Sequence, residues 1–316
     1  MNNILIKVSI GIFRDGDKIL IAQSKKKANK IVWEFPGGKN EKKETPEQTL
    51  YRELKEELNV VVRKARLIKR FITNVDGSNF ELSIFSVAEW MGKVIGLEGQ
   101  VLKWVPISEL LNYNMHEPNK KIFSSLMLPN RIMITPFLDK DYELFLENLD
   151  LLERHKIKLL QLRLTHDEST NKLISREVKK KSGDKVKIMI NGGTSEFDEN
   201  YFDGLHLPFN LARKLNVRPV KKKYLFSISC HNNKEIEHAD LIDADFVYLS
   251  PVNKTTSHPN SNCLGWSKAS KIAAASSKPV YALGGLSIVD TSRAVENGFQ
   301  GIAGITTFWN FVFRSN

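Results

Sequence analysis

At 316 residues the chain has the length of two domains, and its 41% hydrophobic content supports ordinary soluble cores. Two cysteines, Cys230 and Cys263, exclude a disulfide framework and fit a reducing cytoplasm, and no apolar run reaches the length of a membrane span. The net charge of +11 is spread out, with 21 Lys/Arg against 15 Asp/Glu in residues 1–128 and 26 against 21 in residues 129–316, which excludes a basic nucleic-acid-binding arm.

In chain order, the alternation of Ile4, Ile6, Val8 and Ile10 predicts a strand over residues 4–13 rather than a signal peptide. Asp15-Gly16-Asp17 turns it into a second strand over 18–23. The lysines at 25–27, like those at 179–181 and 221–223, have no interleaved aromatics. They read as solvated surface that can collect phosphorylated small molecules, and direct nucleic-acid binding is not expected. Residues 31–35 form a strand leading into Gly37-Gly38.

A helix is predicted over 46–58. Thr45 can cap it, Pro46 suits its first turn, and Gln48 completes a capping box. Leu50, Leu54 and Leu58 give it a face to bury. Glu53, Glu56 and Glu57 crowd a neighbouring arc, where like charges cost about 0.2–0.5 kcal/mol per pair. Arg52 relieves part of this through Glu56, one turn on. Alone, such a face reads as solvated. With two glycines and Glu44 at fixed spacing ahead of it, it reads as hard oxygen ligands for Mg²⁺, or Mn²⁺ in its place, beside substrate phosphates.

A second strand pair follows over 66–75 and 79–90, around Asp76-Gly77-Ser78-Asn79. The chain turns at 90–93, Glu98-Gly99-Gln100 lies in a loop, and a last strand covers 101–105. Short helices are expected over 108–113 and 119–127. Leu128-Pro129-Asn130 then marks a boundary, giving domains 1–128 and 129–316. Beyond it, apolar strands at 131–136, 159–164, 186–191, 204–207, 224–229, 246–250, 279–283 and 301–303 alternate with helices. Eight such units predict a compact (β/α)8 TIM barrel with its sites at the strand C-termini.

Gly38, Glu44, Arg52, Glu53, Leu54, Glu56, Glu57 and Val60 stand at the spacing of the Nudix box, which this stretch resembles. Asn59 replaces the family's glycine and suits the same left-handed helix end. Trp33-Glu34-Phe35-Pro36 and Glu44-Thr45-Pro46-Glu47-Gln48 resemble the MutT branch. The resemblance implies an α/β/α sandwich and Mg²⁺-dependent hydrolysis of nucleoside triphosphates. In that branch this means 8-oxo-dGTP cleaved to 8-oxo-dGMP and pyrophosphate, which sanitises the nucleotide pool and protects DNA replication.

The resemblance also implies roles. The Gly37 or Gly38 carbonyl, Glu56 and Glu57 hold the metal, and Glu98 of the Glu-Gly-Gln run reaches it. Glu53 positions or deprotonates the attacking water, Arg52 orients the glutamates, and Glu44 belongs to the same set. Glu34, Phe35 and Pro36 border the nucleotide. His116, standing where the branch has asparagine before Glu117-Pro118, lies with Asn119 at the base. Gln23-Ser24 replaces a basic residue of the branch, so another nucleotide remains an alternative substrate.

In the second half, Gln161-Leu162-Arg163, Ile190-Asn191, Asp203-Gly204-Leu205-His206-Leu207, Ser229-Cys230-His231, Leu249-Ser250-Pro251-Val252 and Leu283-Gly284-Gly285 occur in order. They resemble thiamin phosphate synthase and its TenI relatives. The resemblance implies a phosphorylated ligand met by Gln161, Arg163, Asn191, His206 and His231, with Gly284, Gly285 and Gly304 as a backbone cradle. The synthase's metal acids are absent, with Gly192 and Phe209-Asn210-Leu211 in their places, and Thr165 and His258 replace its lysines. Thiamin phosphate synthesis, metal-free thiazole tautomerisation through His231, and non-catalytic ligand binding stay open for the barrel. The ordinary alternative for His206 and His231 is structural hydrogen bonding. Oligomeric state has no signal in the sequence.

Overall fold

The computed structural model describes residues 5–24, 31–75, 77–138, 142–165, 167–255 and 262–313. The lysines at 25–27, Asp76 and His258 lie outside the described residues. The chain divides into two compact units, Met1–Met127 and Leu128–Asn316.

In the first unit β1 (Leu5–Asp15) and β2 (Lys18–Gln23) form the expected hairpin, with Arg14 opposite Ile19. Gly16 takes a positive φ of 58° at its tip. The strand expected over 31–35 shortens to β3 (Trp33–Glu34), and the glycine loop is itself a strand, β4 (Gly37–Lys39), antiparallel to β1. The long pair β5 (Val61–Val75) and β6 (Ser78–Met91) and the final β7 (Leu102–Pro106) complete the sheet. Its order is β3-β2-β1-β6-β5, with β4 on β1 and β7 on β2.

Helix α1 (Pro46–Leu58) starts and stops as its sequence dictates. The Gln48 N–H donates to Thr45 Oγ1 (3.2 Å) and Gln48 Oε1 accepts the Thr45 N–H (2.8 Å). Asn59 ends it in the left-handed region at φ 58°. Leu50, Leu54 and Leu58 are fully buried against Phe13, Leu20, Phe85 and Val87. Gly11 lets the helix lie close, since a Cβ there would come 2.9 Å from Leu54. On the other face of the sheet Ile10, Ile12, Ile21, Trp33, Phe71 and Ile84 pack with Ile122 and Phe123 of α2 (Glu117–Met127). Helices on both faces make the α/β/α sandwich. The helix expected over 108–113 is a 3₁₀ turn, Ile107–Asn112. α2 begins two residues ahead of 119, because Pro118 suits a first helical turn.

The second unit is a closed parallel barrel. Its strands are β8 (Arg131–Phe137), β9 (Leu159–Arg163), β10 (Lys187–Asn191), β11 (Gly204–Leu207), β12 (Leu225–Cys230), β13 (Phe246–Leu249), β14 (Val280–Ala282) and β15 (Gly301–Gly304). The helices are α3 (Tyr142–Glu147), α4 (Asp150–Arg154), α5 (Glu168–Ser182), α6 (Phe209–Ala212), α7 (Asn233–Leu241), α8 (Gly265–Ala275), α9 (Asp290–Glu296) and α10 (Thr306–Phe313). Strand–helix alternation fails once. After β10 the chain makes only a 3₁₀ turn, Thr194–Glu196, because Gly192-Gly193 and Asp198, which accepts the Asn200 N–H (2.9 Å), favour turns over helix. Ile132, Met189, Phe246, Tyr248 and Tyr281 fill the barrel interior, and the Tyr281 hydroxyl donates to the Pro129 carbonyl.

The α1–sheet contact is directly testable. Leu54→Ala should cost about 2–5 kcal/mol in denaturant titration, the usual range for an emptied leucine site. Lys55→Ala, on the exposed side, should change stability by less than about 0.5 kcal/mol. Equal effects would mean that α1 does not bury its leucines as described.

Candidate active site

The acidic face of α1 is organised by Arg52. Its Nε and Nη2 donate to the two Glu44 oxygens (2.8 and 3.0 Å), Nη1 to Glu53 (2.9 Å) and Glu56 (3.2 Å), and Nη2 also to the Lys39 carbonyl (3.1 Å). The partial relief expected through Glu56 alone is therefore too small a role, because one planar guanidinium serves three carboxylates at once. Glu44 is held further by the Glu41 N–H (2.9 Å) and the Thr49 hydroxyl (2.8 Å). The Arg52 hydrogen bonds, then the Glu41 N–H, pull its pKa down to about 2.

β4 brings backbone against this face. The Gly37 N–H donates to Glu57 Oε2 (3.1 Å), and Gly37 has a φ of 141°. A Cβ on Gly37 would overlap the Ser9 carbonyl, so that position requires glycine, and one on Gly38 would displace the Glu53 carboxylate. The loop after β6 is tied to the same helix. The Leu97 N–H (2.9 Å) and Gln100 Nε2 (3.0 Å) both donate to the Glu57 carbonyl, and Gln100 Oε1 accepts the Glu98 N–H (3.0 Å). Glu98 is thereby held close enough to Glu57 to act on its charge. The Glu-Gly-Gln run signalled Glu98, but nothing in it signalled Gln100 as the tether.

Burial pushes Glu57 up to about 7; the Gly37 N–H opposes this, and the charges of Glu53, Glu98 and Glu34 add to it. Burial also raises Glu53, against the pull of Arg52. Among the described residues no three Asp, Glu, His or Cys side chains converge as a ready metal cage. The crowded set expected from spacing is instead parted, with Glu53 and Glu56 drawn to Arg52 and Glu57 to Gly37. The donors still fit a hard divalent cation. They are carboxylate and carbonyl oxygens, and a carboxylate raised first by burial and then by three like charges is the environment that a cation relieves.

Of the residues expected to border the nucleotide, two have buried side chains. Phe35 is 3% exposed and packs in the core with Ile10 and Trp33, and Pro36 is buried with its carbonyl accepting the Gly11 N–H (2.8 Å). Their side chains pack into the core of the sheet, whereas Glu34 is half-buried beside Glu57. His116 is half-buried, and its carbonyl accepts the N–H of the buried Asn119 (2.9 Å). Lys69, buried on β5, carries no signal in the sequence, because a strand irregularity decides where it points.

In the barrel, Gln161 is 2% exposed and gives its Nε2 to Asn191 Oδ1 (3.1 Å), leaving its Oε1 without a hydrogen-bond partner among the described residues. Arg163 donates Nε–H to the Thr135 carbonyl (2.8 Å) and stacks 4.0 Å from the Phe137 ring. His206 is 1% exposed, with Nδ1 on Ser227 Oγ (2.8 Å) and Nε2 on Ser229 Oγ (2.9 Å). Burial pushes its pKa down to about 3. Both ring nitrogens are thus engaged inside the barrel, which is the structural hydrogen bonding weighed above as the alternative to a ligand contact.

His231 is exposed, and its Nδ1 meets Glu235 Oε2 (2.8 Å); the same oxygen accepts the His231 backbone N–H (2.8 Å). Sequence reasoning missed Glu235, although its spacing of four from His231 was legible. Gly284 (φ 98°) and Gly285 (φ 63°) occupy the left-handed region, and side chains there would press on Pro251 and the Lys254 carbonyl. Gly304 lies against the Phe308 ring.

Comparison with known proteins agrees with both halves. The NUDIX domain model matches residues 5–126, and the thiamine monophosphate synthase (TMP-TENI) model matches residues 132–308. The chain is 32% identical over 170 residues to a putative thiamine-phosphate synthase 2 of Aquifex aeolicus (strain VF5), covering 52% of this chain and 90% of that protein. It is 33% identical over 123 residues to an 8-oxo-dGTP diphosphatase of Buchnera aphidicola subsp. Schizaphis graminum (strain Sg), covering 38% and 91%. It is also 30% identical over 124 residues to a CTP pyrophosphohydrolase of Escherichia coli (strain K12), covering 39% and 92%. The chain therefore belongs to the Nudix family through its first unit, a MutT-like hydrolase of phosphoanhydrides, and to the thiamine monophosphate synthase (TMP-TENI) family through its barrel.

Proposed function

We propose that the first unit is a Mg²⁺-dependent nucleoside triphosphate diphosphohydrolase that cleaves 8-oxo-dGTP to 8-oxo-dGMP and pyrophosphate. The observation that carries the reading is the setting of Glu57, a half-buried carboxylate on α1 that accepts the Gly37 N–H of the glycine strand (3.1 Å) and that burial and the charges of Glu53, Glu98 and Glu34 push up. A bound divalent cation would neutralise phosphate charge and lower the pKa of a coordinated water. Glu56, Glu57, Glu98 and the carbonyl of Gly37 or Gly38 are the residues proposed to hold it. Glu53, raised by burial, takes the proton as water oxygen attacks the β-phosphorus. The bond to the α–β bridging oxygen then breaks, so nucleoside monophosphate leaves and pyrophosphate remains. Arg52 and Glu44 keep Glu53 and Glu56 in register by the bonds described above. Substitutes for Mg²⁺ such as Mn²⁺ fit the same oxygens.

The oxidised base is supported by the 8-oxo-dGTP diphosphatases among the relatives, and the CTP pyrophosphohydrolase supplies the competing substrate. Hydrolysis of 8-oxo-dGTP, dGTP and CTP should be compared with and without Mg²⁺. Preference for 8-oxo-dGTP is expected, and equal turnover of the three would overturn the substrate assignment. Glu53→Gln should lower kcat about 10²–10⁴-fold with folding retained.

Linkage gives a second check. Glu57 rises from 4.5 to about 7 on folding, so without cation its contribution to stability is complete below pH 4.5 and is lost as pH rises through about 7. Glu44 does the reverse; its contribution is present above pH 4.5 and lost as pH falls through about 2. Mg²⁺ should therefore raise the Tm of wild type more at pH 8 than at pH 5. Glu57→Gln should gain on the order of 2 kcal/mol of metal-free stability at pH 8 and lose the response to Mg²⁺.

For the barrel, the His231–Glu235 pair favours metal-free proton transfer on a phosphorylated small molecule over condensation, since Gly192 and Leu211 offer no metal acids. Isomerisation of a thiazole phosphate should be measurable and should disappear in His231→Asn. Condensation of the two thiamin precursors by wild type would contradict this reading.

A further inference from the structure

β5 carries a register irregularity between Leu67 and Lys69. Beyond it Lys69, Phe71 and Thr73 are all buried, and Phe71 shares a core cluster with Ile122 and Phe123 of α2. The bulge thus turns a lysine, 6% exposed, into the layer between sheet and helix. Lys69 Nζ donates to Ser125 Oγ of α2 (2.8 Å) and lies 5.4 Å from the Phe71 ring centre. An ammonium out of water is costly to hold, and the proposed chemistry of the α1 acids does not use it.

The other end of α2 is tied independently. Met115 bridges to Trp33, and the Trp33 N–H donates to the Asn114 carbonyl (2.8 Å). Asn119 lies between the two ties, about 9 Å along the helix from Ser125 at 1.5 Å per residue. Apolar contacts alone let a helix slide or rotate on a sheet, whereas a charge-assisted hydrogen bond has direction.

We propose that Lys69 is a positioning residue for base recognition. By anchoring Ser125 it fixes the rotation of α2 and its distance from the sheet, and so sets where His116 and Asn119 meet the nucleobase. This rests on the first unit's reading as a nucleotide hydrolase and on the place at the base that its resemblance to the MutT branch implies for His116 and Asn119. Lys69 acts through α2, so its removal changes KM and base selectivity and leaves bond cleavage intact.

The test compares wild type, Lys69→Met, Ser125→Ala and the double variant on 8-oxo-dGTP, CTP and ribose 5-triphosphate with Mg²⁺. Each single variant should lower the kcat/KM ratio between the preferred and the other nucleotide about tenfold, the effect of one charge-assisted hydrogen bond. The change should lie in KM, with the base-free rate unaltered and the double variant no worse than either single one. An unchanged ratio in folded Lys69→Met overturns the inference. An equal loss on ribose 5-triphosphate also overturns it, because that marks a purely structural role. Should Lys69→Met fail to fold, Ser125→Ala decides, with Ser125→Thr expected to restore the ratio and failure to restore it counting against the inference. A wild type that cleaves none of the three triphosphates defeats the functional reading itself, and the inference with it.

Discussion

Arg52 bound to Glu44, Glu53 and Glu56 is the contact on which the first unit's acidic face depends. Without it, Glu53 and Glu56 would repel each other and the half-buried Glu57 across one turn of α1, with Glu44 adding its charge from ahead of the helix. The arginine can hold them because the far side of α1 is locked by Leu50, Leu54 and Leu58. Burial of those leucines fixes which way the acids face, and the close approach at Gly11 fixes how far the helix stands from the sheet. Apolar packing sets the geometry that the charged groups then use.

Glu57 is treated differently from its neighbours. Arg52 does not reach it. Among the described residues the Gly37 N–H is the group that stabilises its charge, while burial first and then Glu53, Glu98 and Glu34 act against it. The result is one face with two kinds of carboxylate, a low-pKa one held by a guanidinium and a high-pKa one held by a backbone amide. Such a division suits a site where a cation arrives with the substrate, because the group with most to gain from the cation is the one left least compensated.

Local chemistry made much of this legible from residue order. Thr45, Pro46, Gln48 and Asn59 carry the start and end of α1 in their own side chains and backbone preferences. The barrel strands were legible because short apolar runs recur at strand length. What could not be read depends on contacts between distant segments. Gly37–Lys39 looks like a loop until β1 pairs with it. Phe35 and Pro36 sit in a motif expected to face substrate, yet the sheet needs them as packing. His206 matches its family's strand end, but Ser227 and Ser229 on the next strand consume both of its nitrogens. Lys69 is turned inward by a bulge that no periodicity announces.

In the barrel, Gly192-Gly193 lead into a 3₁₀ turn after β10, where the other strands are followed by helices, while Gln161 bonds Asn191 and Gly284 and Gly285 hold left-handed backbone. His231, braced by Glu235, is exposed just past the C-terminal end of β12.

The central claim, that Glu57 is poised to trade a proton for a cation, is tested most directly by following its side-chain carboxyl by ¹³C NMR through a pH titration. The account predicts a midpoint near 7 in metal-free protein, falling well below it when Mg²⁺ is added. A midpoint at the ordinary 4.5 of a solvated glutamate, unmoved by Mg²⁺, would contradict it.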